Sequence, residues 1–397
     1  MKRLLILGGG FLQTYVIQKA RSLNYYVLCL DANPKAIGFQ YANEHAVINI
    51  IDTKACLEYA RTHNIDGVLT AATDYGVLSM SCIATELNLP GINYSSAQII
   101  KNKAAVRKCL YDAHADDTGY AYEISSIKDA ENISSHITYP VMVKPADGSG
   151  SRGASKVDSS NDFIEACAYA MDGSITRRAI AEPFIEGAEY GVESFIDNGV
   201  IHILAVMQKE MTAPPYYAEL GHRIPSGLPL DLENKIKDCV RKAIIALDIN
   251  HGSVNMDLIL SKEGSVHIVD IGARMGGNLI GSHIIQYGTG IDYIANMIKA
   301  AVRDQTEWQS QWQPYAVATK LLALKPGKIK ALPDFEAIKI KYDVEIEHHL
   351  NIGDTITPYR TNLDGCGYVI AHGNDINDII YTTNEVKDLI DKSIIRN

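Results

Sequence analysis

Several features that would assign a protein to a common class are missing from this sequence. None of its apolar runs approaches the ~18 residues that a membrane-spanning helix needs, and the N-terminal run 4–7 is too short for a secretory signal. Basic residues are outnumbered, with 37 Lys and Arg against 47 Asp and Glu, so the net charge is −10. A nucleic-acid binder needs a concentrated basic surface. We therefore expect neither a nucleic acid nor a membrane as a partner.

Cysteine is also used sparingly and without a pattern. The number of cysteines is seven, which is odd, and no two of them form a C-x-x-C pair. Disulfide frameworks and structural zinc sites usually show paired or regularly spaced cysteines. This usage predicts reduced core cysteines in a cytoplasmic protein: Cys29, Cys56, Cys82, Cys109, Cys167, Cys239 and Cys366.

The chain has enough apolar residues to form a large core. They make up 47% of its 397 residues, against 21% charged residues, and this length suggests two or three domains. Short apolar runs at 4–7, 26–30, 47–50 and 67–70 alternate with helical patterns. Strand–helix alternation of this kind predicts an α/β fold that begins with a Rossmann-like parallel sheet.

A glycine-rich turn follows the first predicted strand. Gly8 and Gly10 open a helix, and Asp31 lies about twenty residues on, as in a dinucleotide-binding fingerprint. Gln13 stands where the third glycine of that fingerprint belongs. The turn is therefore interpreted as a structural strand-to-helix connection or as part of a substrate site, with an NAD site as the alternative.

A lysine within an apolar strand marks the middle of the chain. Lys144 lies in the predicted strand 139–145, which leads into the glycine- and serine-rich segment 148–153 and then into a second strand. Glycine lets backbone N–H groups approach an anion, and a lysine in the strand can reach a phosphate as a point charge. The pattern predicts a phosphate-binding loop that is not a Walker P-loop. The alternative is an exposed hairpin with a solvated lysine.

Two carboxylates lie on a predicted hairpin further along. With a loop centred on 262–263, Asp257 and Asp270 fall on the same face as diagonal neighbours. Such a pair suits a hard cation such as magnesium, and the alternative is that each acid pairs with Lys or Arg. Arg274 follows in a glycine-rich turn, where its guanidinium can bind a phosphate or a carboxylate.

Asn198-Gly199 is the strongest hairpin signal in the chain and predicts a tight turn. The remaining features are weaker, among them an acidic connection after a strand at 181–189. Residues 208–227 are predicted to be a long irregular loop, in which His222 and Arg223 either bind a carboxylate or are solvated. His283 is a further substrate candidate, with simple packing as the alternative. The last eighty or so residues are interpreted as short strands and turns of a small α/β unit.

Taken in this order, these features resemble the ATP-grasp superfamily, which includes biotin carboxylase, D-alanine–D-alanine ligase, the glycinamide ribonucleotide enzymes and the L-amino-acid ligases. The resemblance covers nearly the whole chain. It implies a Rossmann-like domain (1–100), an ATP-grasp domain of two small α+β subdomains that clasp ATP (101–310, with a lid at about 116–185), and a small C-terminal α/β appendage (311–397).

The resemblance also implies roles for individual residues. Lys144 and Arg274 match the catalytic cations, and Asp257 and Asp270 match the metal ligands. The expected substrate contacts are His222, Arg223, Arg274, Asn278 and His283. The expected nucleotide contacts are Lys103, Lys144, Gly148, Ser149, Gly150, Ser151, Arg152, Gly153, Ser155, Glu182, Phe184, Ile185 and Glu189.

The implied activity is that of a carboxylate–amine ligase. Such an enzyme uses ATP and Mg²⁺, with Mn²⁺ as a substitute, to convert a small-molecule carboxylate into an acyl phosphate, which an amine then attacks to release phosphate. A dimer is common among similar proteins. The alternatives are an acid–thiol ligase or carboxylase of the same fold and a non-catalytic ATP-binding regulator.

The sequence departs from the family pattern at the metal site. The second carboxylate is commonly Glu followed two residues later by Asn, whereas this chain has Asp270 and Gly272. We therefore expect a weaker metal site, or one in which Asn255 or Asn278 substitutes for the missing ligand.

Overall fold

The N-terminal unit is a four-stranded parallel sheet covered by helices. The computed structural model describes residues 1–147, 153–214 and 216–397. The strands follow the order β3-β2-β1-β4. Leu4 to Leu7 are fully buried, as expected where a parallel sheet is covered on both faces. The elements are β1 (Arg3–Leu7), α1 (Phe11–Ser22), β2 (Tyr26–Asp31), β3 (Glu44–Val47), α2 (Thr53–Thr62), β4 (Gly67–Thr70), α3 (Val77–Glu86) and α4 (Tyr94–Ile100).

A four-stranded antiparallel sheet forms the second unit, which we call the lid sheet. Its strand order is β5-β8-β6-β7, and its helices pack on one face through buried side chains such as Phe163. The preceding helix α5 begins where the Asn102 side chain accepts hydrogen bonds from two backbone N–H groups. The elements are α5 (Lys103–Asp112), β5 (Tyr122–Ile124), α6 (Ile127–Ser134), β6 (Val141–Pro145), β7 (Ser155–Val157), α7 (Ser160–Asp172) and β8 (Ala179–Pro183).

The third unit contributes five antiparallel strands to a larger sheet. The predicted tight turn is confirmed, since Asp197 pairs with Val200 and both Asn198 and Gly199 have positive φ angles. The elements are β9 (Gly187–Asp197), β10 (Val200–Met211), β11 (Glu219–Ile224), α8 (Leu230–Ala246), β12 (Gly252–Ser261), β13 (Val266–Gly272), a π-helical turn (Ile280–Ile284), α9 (Ile285–Thr289) and α10 (Tyr293–Ala301).

The C-terminal segment extends this same sheet. The eight strands follow the order β13-β12-β9-β10-β11-β14-β18-β16, and a small second sheet has the order β17-β15-β19. The elements are β14 (Ala316–Leu321), β15 (Gly327–Ala331), α11 (Phe335–Tyr342), β16 (Glu345–His348), β17 (Thr355–Ile356), β18 (Gly367–Gly373), α12 (Ile376–Ser393) and β19 (Ile395–Arg396).

The predicted fold class is confirmed, but three local predictions were wrong. Half of the predicted loop 208–227 is strand, because β10 continues to Met211 and β11 follows at Glu219–Ile224. The third strand lies at Glu44–Val47 rather than at 47–50. The C-terminal region contains an 18-residue helix, α12, which the interpretation as strands and turns missed. Among the described residues, every helix is too short or too polar to cross a bilayer.

Candidate active site

A cavity of about 640 Å³ separates the lid sheet from one face of the large sheet. Cationic and anionic side chains from both sheets line it, as do Met142, Ile259 and Ile268. Ligand sites of this size typically combine apolar walls with a few placed polar groups. The charged lining residues are Lys103, Lys144, Asp147, Lys156, Glu182, Glu186, Glu189, Lys209, Glu219, Asp257 and Asp270.

Lys144 connects the two sides of this cavity. Its Nζ lies 2.5 Å from Glu182 Oε1 on the neighbouring strand and donates a hydrogen bond of 2.9 Å to the Val269 carbonyl on β13. Only 12% of its side chain is exposed, so the interpretation as a solvated lysine is not supported. Both partners are acceptors, which is what a buried ammonium needs.

The predicted phosphate loop is only partly described. Gly148, Ser149, Gly150, Ser151 and Arg152 lie outside the described residues. Gly153 and Ser155 flank Ala154, which lines the cavity.

The connection from β8 to β9 forms one wall of the cavity. Glu182, Phe184, Ile185 and Glu189 all line it, as the resemblance implied. The Phe184 N–H donates to the Pro140 carbonyl at 3.1 Å, and this bond fixes the turn after β8. Phe184 and Ile185 give the wall an apolar surface, which suits a flat heteroaromatic ring.

Asp257 and Asp270 face each other across β12 and β13. They are directly opposed rather than diagonal, because a bulge between Asp257 and Leu258 in the pairing leaves Val269 as the extra residue. The same bulge frees the Val269 carbonyl to accept from Lys144. The predicted register pairs Asp257 with Ile268, so at this point it was wrong by two residues on β13: the hairpin is centred on Glu263, and the bulge adds one more. Both carboxylates nevertheless line the cavity.

Each of the two aspartates is paired with a lysine. Lys103 forms an ion pair with Asp270, and Lys209 Nζ lies 2.9 Å from Asp257 Oδ1. Burial raises the pKa of Asp270, but Lys103 and Lys144 outweigh it and the net pKa is lowered. Burial, together with the negative charges of Glu219 and Asp270, raises the pKa of Asp257 despite Lys209.

Lys209 is the functional candidate that the sequence interpretation missed. Its side chain is 2% exposed, and its Nζ lies 2.5 Å from Glu219, 2.9 Å from Asp257 and 3.7 Å from Glu189. These carboxylates raise its pKa although burial alone would lower it. It was missed because 208–227 was interpreted as a loop. Extending the hairpin after Asn198-Gly199 by two pairs would have placed Lys209 in a strand.

Around Lys209 there is more negative than positive charge. Three carboxylates surround one ammonium group, and the pKa of Glu189 is raised to about 7 by burial and by Asp257 and Glu219, despite Lys209. Uncompensated carboxylates favour a hard divalent cation with oxygen ligands. The residues present thus fit a magnesium ion, to which Asp257 and Asp270 would supply oxygen atoms.

The two asparagines that could replace the missing ligand already have partners. Asn255 Nδ2 donates to Glu193 Oε2 at 3.0 Å. Asn278 Nδ2 donates to Glu219, and its Oδ1 accepts from the Tyr368 hydroxyl at 3.0 Å. Neither is among the described residues that line the cavity.

The predicted substrate contacts do not converge. His222 and Arg223 are adjacent in β11 and point to opposite faces, so a joint carboxylate site at these two residues is a wrong prediction. His222 is 3% exposed, and burial lowers its pKa to about 4 even though Glu219 opposes the shift. Arg223 Nε donates to Gln208 at 2.9 Å. His283 is buried with its Nε2 3.5 Å from Glu345, in line with the packing alternative.

Arg274 lies in a turn that is held from two sides. Its Nη2 donates to Asp74 Oδ2 at 3.1 Å, and its Nε lies 3.1 Å from Asp74 Oδ1. Two residues on, the Gly276 N–H lies 3.2 Å from both oxygens of Glu193. Glu193 is fully buried and also accepts from the Tyr293 hydroxyl at 2.6 Å. The turn is thereby fixed to the face of the large sheet.

The N-terminal glycine turn has a structural function. The Gly9 N–H donates to Asp31 Oδ2 at 2.8 Å, and Asp31 Oδ1 accepts from the Asn33 N–H. The Gly38 N–H donates to the Gly9 carbonyl at 2.7 Å, so the segment Ile37–Gln40 packs on the turn. Asp31 is therefore engaged with backbone, which does not favour the NAD alternative.

A nucleotide-sized cavity between a four-stranded lid sheet and the charged face of a larger antiparallel sheet is the arrangement of the ATP-grasp class. Family comparison agrees. Residues 137–282 match the ATP-grasp domain family, and residues 320–393 match the family of L-amino acid ligase C-terminal domain 2. The chain therefore carries an ATP-grasp domain followed by a C-terminal domain of the L-amino acid ligase type.

Known proteins resemble the chain along most of its length. An uncharacterized protein of Sinorhizobium fredii, y4rH, is 25% identical over 366 residues, which are 89% of this chain and 75% of that protein. The carbamoyl phosphate synthase large chain of Pseudothermotoga lettingae is 21% identical over 84% of this chain, which spans only 31% of that protein. The crystal structure of an L-amino acid ligase from Bacillus licheniformis shares the fold, with a TM-score of 0.84, 21% identity, and coverage of 98% of this chain and 97% of that one.

Proposed function

We propose that the protein is an ATP-dependent ligase that activates a small-molecule carboxylate as an acyl phosphate and transfers the acyl group to an amine. One observation carries the proposal. Lys103, Lys144 and Lys209 line the same cavity as Asp257 and Asp270, together with the apolar side chain of Phe184. Cations beside paired carboxylates are what phosphoryl transfer requires of a protein, since its main contributions are positioning and charge stabilisation.

In this proposal ATP binds between the two sheets. The backbone edge and apolar surface at Phe184 and Ile185 receive the adenine, and Glu189 accepts from the ribose hydroxyls. Lys103 and Lys144 contact the phosphates from opposite sides of the cavity. Binding requires these two lysines to exchange part of their ion pairing with Asp270 and Glu182 for the phosphate oxygens.

Magnesium, with manganese as a substitute, is proposed as the metal. Asp257 and Asp270 would hold it, and it would neutralise phosphate charge at the site of transfer. Lys103 and Lys209, which are paired with these aspartates, would then remain available to bind phosphate oxygens.

The proposed chemistry has two balanced steps. A carboxylate oxygen of the substrate forms a bond to the γ-phosphorus while the bond from that phosphorus to the β–γ bridging oxygen breaks, so ADP leaves. The amine nitrogen then attacks the acyl carbon, the carbon–oxygen bond to phosphate breaks, and the nitrogen loses a proton. Arg274 and the cavity lysines stabilise the negative charge that develops on oxygen in both steps.

Hydroxylamine trapping tests this proposal. Purified protein is incubated with ATP, magnesium and pooled carboxylic acids, including amino acids, and both hydroxamate and ADP are measured. We expect hydroxamate from one pool, with an equal amount of ADP. If no pool yields hydroxamate, in a sample that binds ATP by calorimetry, the proposal is wrong and the protein is a non-catalytic ATP-binding regulator.

Two finer expectations accompany the proposal. A thiol acceptor in place of the amine would make the protein an acid–thiol ligase, which is tested by adding candidate thiols to the trapped acid. A cytoplasmic homodimer is also expected, and sedimentation velocity at two protein concentrations measures the assembly state.

A further inference from the structure

The guanidinium of Arg274 lies flat on the large sheet, directly over Gly272. A Cβ atom added at Gly272 would lie 2.8 Å from Arg274 Cζ, 3.0 Å from Nη1 and 3.1 Å from Nη2. Any residue other than glycine at this position would displace the guanidinium. Gly272, which stands where the resemblance implies a metal-binding asparagine, therefore provides the space that Arg274 occupies.

This placement brings Arg274 next to the metal-type carboxylates. Gly272 follows Asp270 by two residues on β13, so both positions face the same side of the sheet, roughly 7 Å apart. The cation thus lies beside the proposed site of phosphoryl transfer, although Arg274 itself is not among the described residues that line the main cavity.

A carboxylate from the N-terminal unit fixes the orientation of this cation. Asp74 contacts Nε and Nη2 of Arg274, both at 3.1 Å, in a two-point arrangement. The segment that carries Asp74 is itself docked on the turn, because the Ala72 N–H donates to the Met275 carbonyl at 3.0 Å. Lys101 Nζ also donates to the Asp74 backbone carbonyl at 3.3 Å.

One edge of the guanidinium is left over. Nη1 is buried and has no hydrogen-bond partner within the described ranges. On the opposite edge Nε also lacks a hydrogen bond, but it lies 3.1 Å from Asp74 Oδ1 as an ion-pair contact. A buried N–H donor without a partner costs free energy, which a bound oxyanion would recover. Burial would lower the pKa of Arg274, but Asp74 and Glu193 outweigh it, so the group stays charged.

We propose that Asp74 is a positioning residue for catalysis, which together with Gly272 aims the Nη1 edge of Arg274 at the oxygen atoms of the reacting phosphoryl and acyl groups. This inference rests on the proposed function. It gives the N-terminal unit a direct part in the chemistry, through an ion pair rather than through its glycine turn.

Kinetics of four variants test the proposal. Asp74→Asn keeps the shape but removes the charge, and Gly272→Ala displaces the guanidinium. We expect each to lower kcat for hydroxamate formation by about 10–100-fold while KM for ATP changes by less than about twofold. Glu86→Gln, which loses an exposed ion pair with Arg61 in the same unit, and Gly119→Ala, whose Cβ has space, serve as controls near wild-type kcat.

A double-mutant cycle separates positioning from a general loss of stability. If Asp74 acts through Arg274, then Arg274→Ala/Asp74→Asn is no slower than Arg274→Ala alone. Two results would overturn the positioning role while leaving the proposed function intact. One is a double variant whose kcat falls by the product of the two single-variant factors, and the other is a normal kcat in Asp74→Asn. A wild-type protein that forms no hydroxamate from any carboxylate would overturn the proposed function and this role together.

Discussion

Replacing Lys209 with Met should expose how much of the site depends on one buried cation. Three carboxylates lie within 3.7 Å of its Nζ, at 2.5, 2.9 and 3.7 Å. Removing one partner of a buried ion pair typically costs about 3–5 kcal/mol, because the remaining charge is left without compensation. With an unfolding entropy of about 2.1 cal/mol/K per residue over 397 residues, each kcal/mol shifts the midpoint by roughly 1.2 °C, so the midpoint of thermal unfolding should fall by about 4–6 °C at pH 8.

The size of this loss should depend on pH and on magnesium. The pKa values of Glu189 and Asp257 are already raised, whereas that of Glu219, which burial alone would raise, is lowered to about 2 by Lys209. Without Lys209 all three pKa values rise, so the penalty of the buried charges is present at high pH and shrinks as the carboxylates take up protons at lower pH. Differential scanning calorimetry at pH 8 and pH 5.5 measures this difference. Added magnesium should stabilise the variant more than the wild type.

The control for this experiment is Lys108→Met, which removes a lysine that is 72% exposed and paired with Asp112. Its effect on the unfolding midpoint should be negligible, because solvent and salt screen an exposed ion pair. If the Lys209→Met protein unfolds within about 2 °C of the wild type at both pH values, the reasoning about the buried charge cluster is wrong.

Two further predictions concern turnover and acid stability. Asp270→Asn, which is isosteric, and Lys144→Ala are each expected to abolish hydroxamate formation while the far-ultraviolet circular dichroism stays native, and turnover by either variant would contradict the assigned site. His222 has a pKa of about 4 in the folded protein, so it lowers stability as the pH falls from about 6.5 to 4, by up to about 3 kcal/mol. His222→Gln should flatten the loss of unfolding midpoint in that interval, whereas exposed His136→Gln should not, and equal slopes would refute the buried neutral histidine.

The sequence predicted some parts of the fold better than others. The parallel sheet was predictable because strands buried on both faces are continuous apolar runs, such as 4–7. Strand β10 was predicted to end too early, because Gln208, Lys209 and Glu210 bring polar residues to both faces. A strand that carries charges into a cavity breaks the alternation on which such predictions depend.

In the candidate site, too, some residues could be predicted from the sequence and others could not. Lys144, Asp257 and Asp270 could be found because charged residues stand out within apolar strands. The register of the two aspartates could not be predicted, since a bulge at Val269 shifts the pairing by one residue and no local signal marks it. Asp74 was not identified either, because its partner Arg274 lies 200 positions away in the sequence.

The pairing of β11 with β14 determines where this chain can be truncated or recombined. Hydrogen bonds pair Gly221 with Lys320 there, and the Thr319 carbonyl lies so close that a Cβ at Gly221 would reach within 2.1 Å of it. Truncation near residue 310 would leave β11 as an open edge, a template for pairing with other chains. Chimeras that exchange the C-terminal segment between related ligases should therefore keep both strands of this pair from one parent.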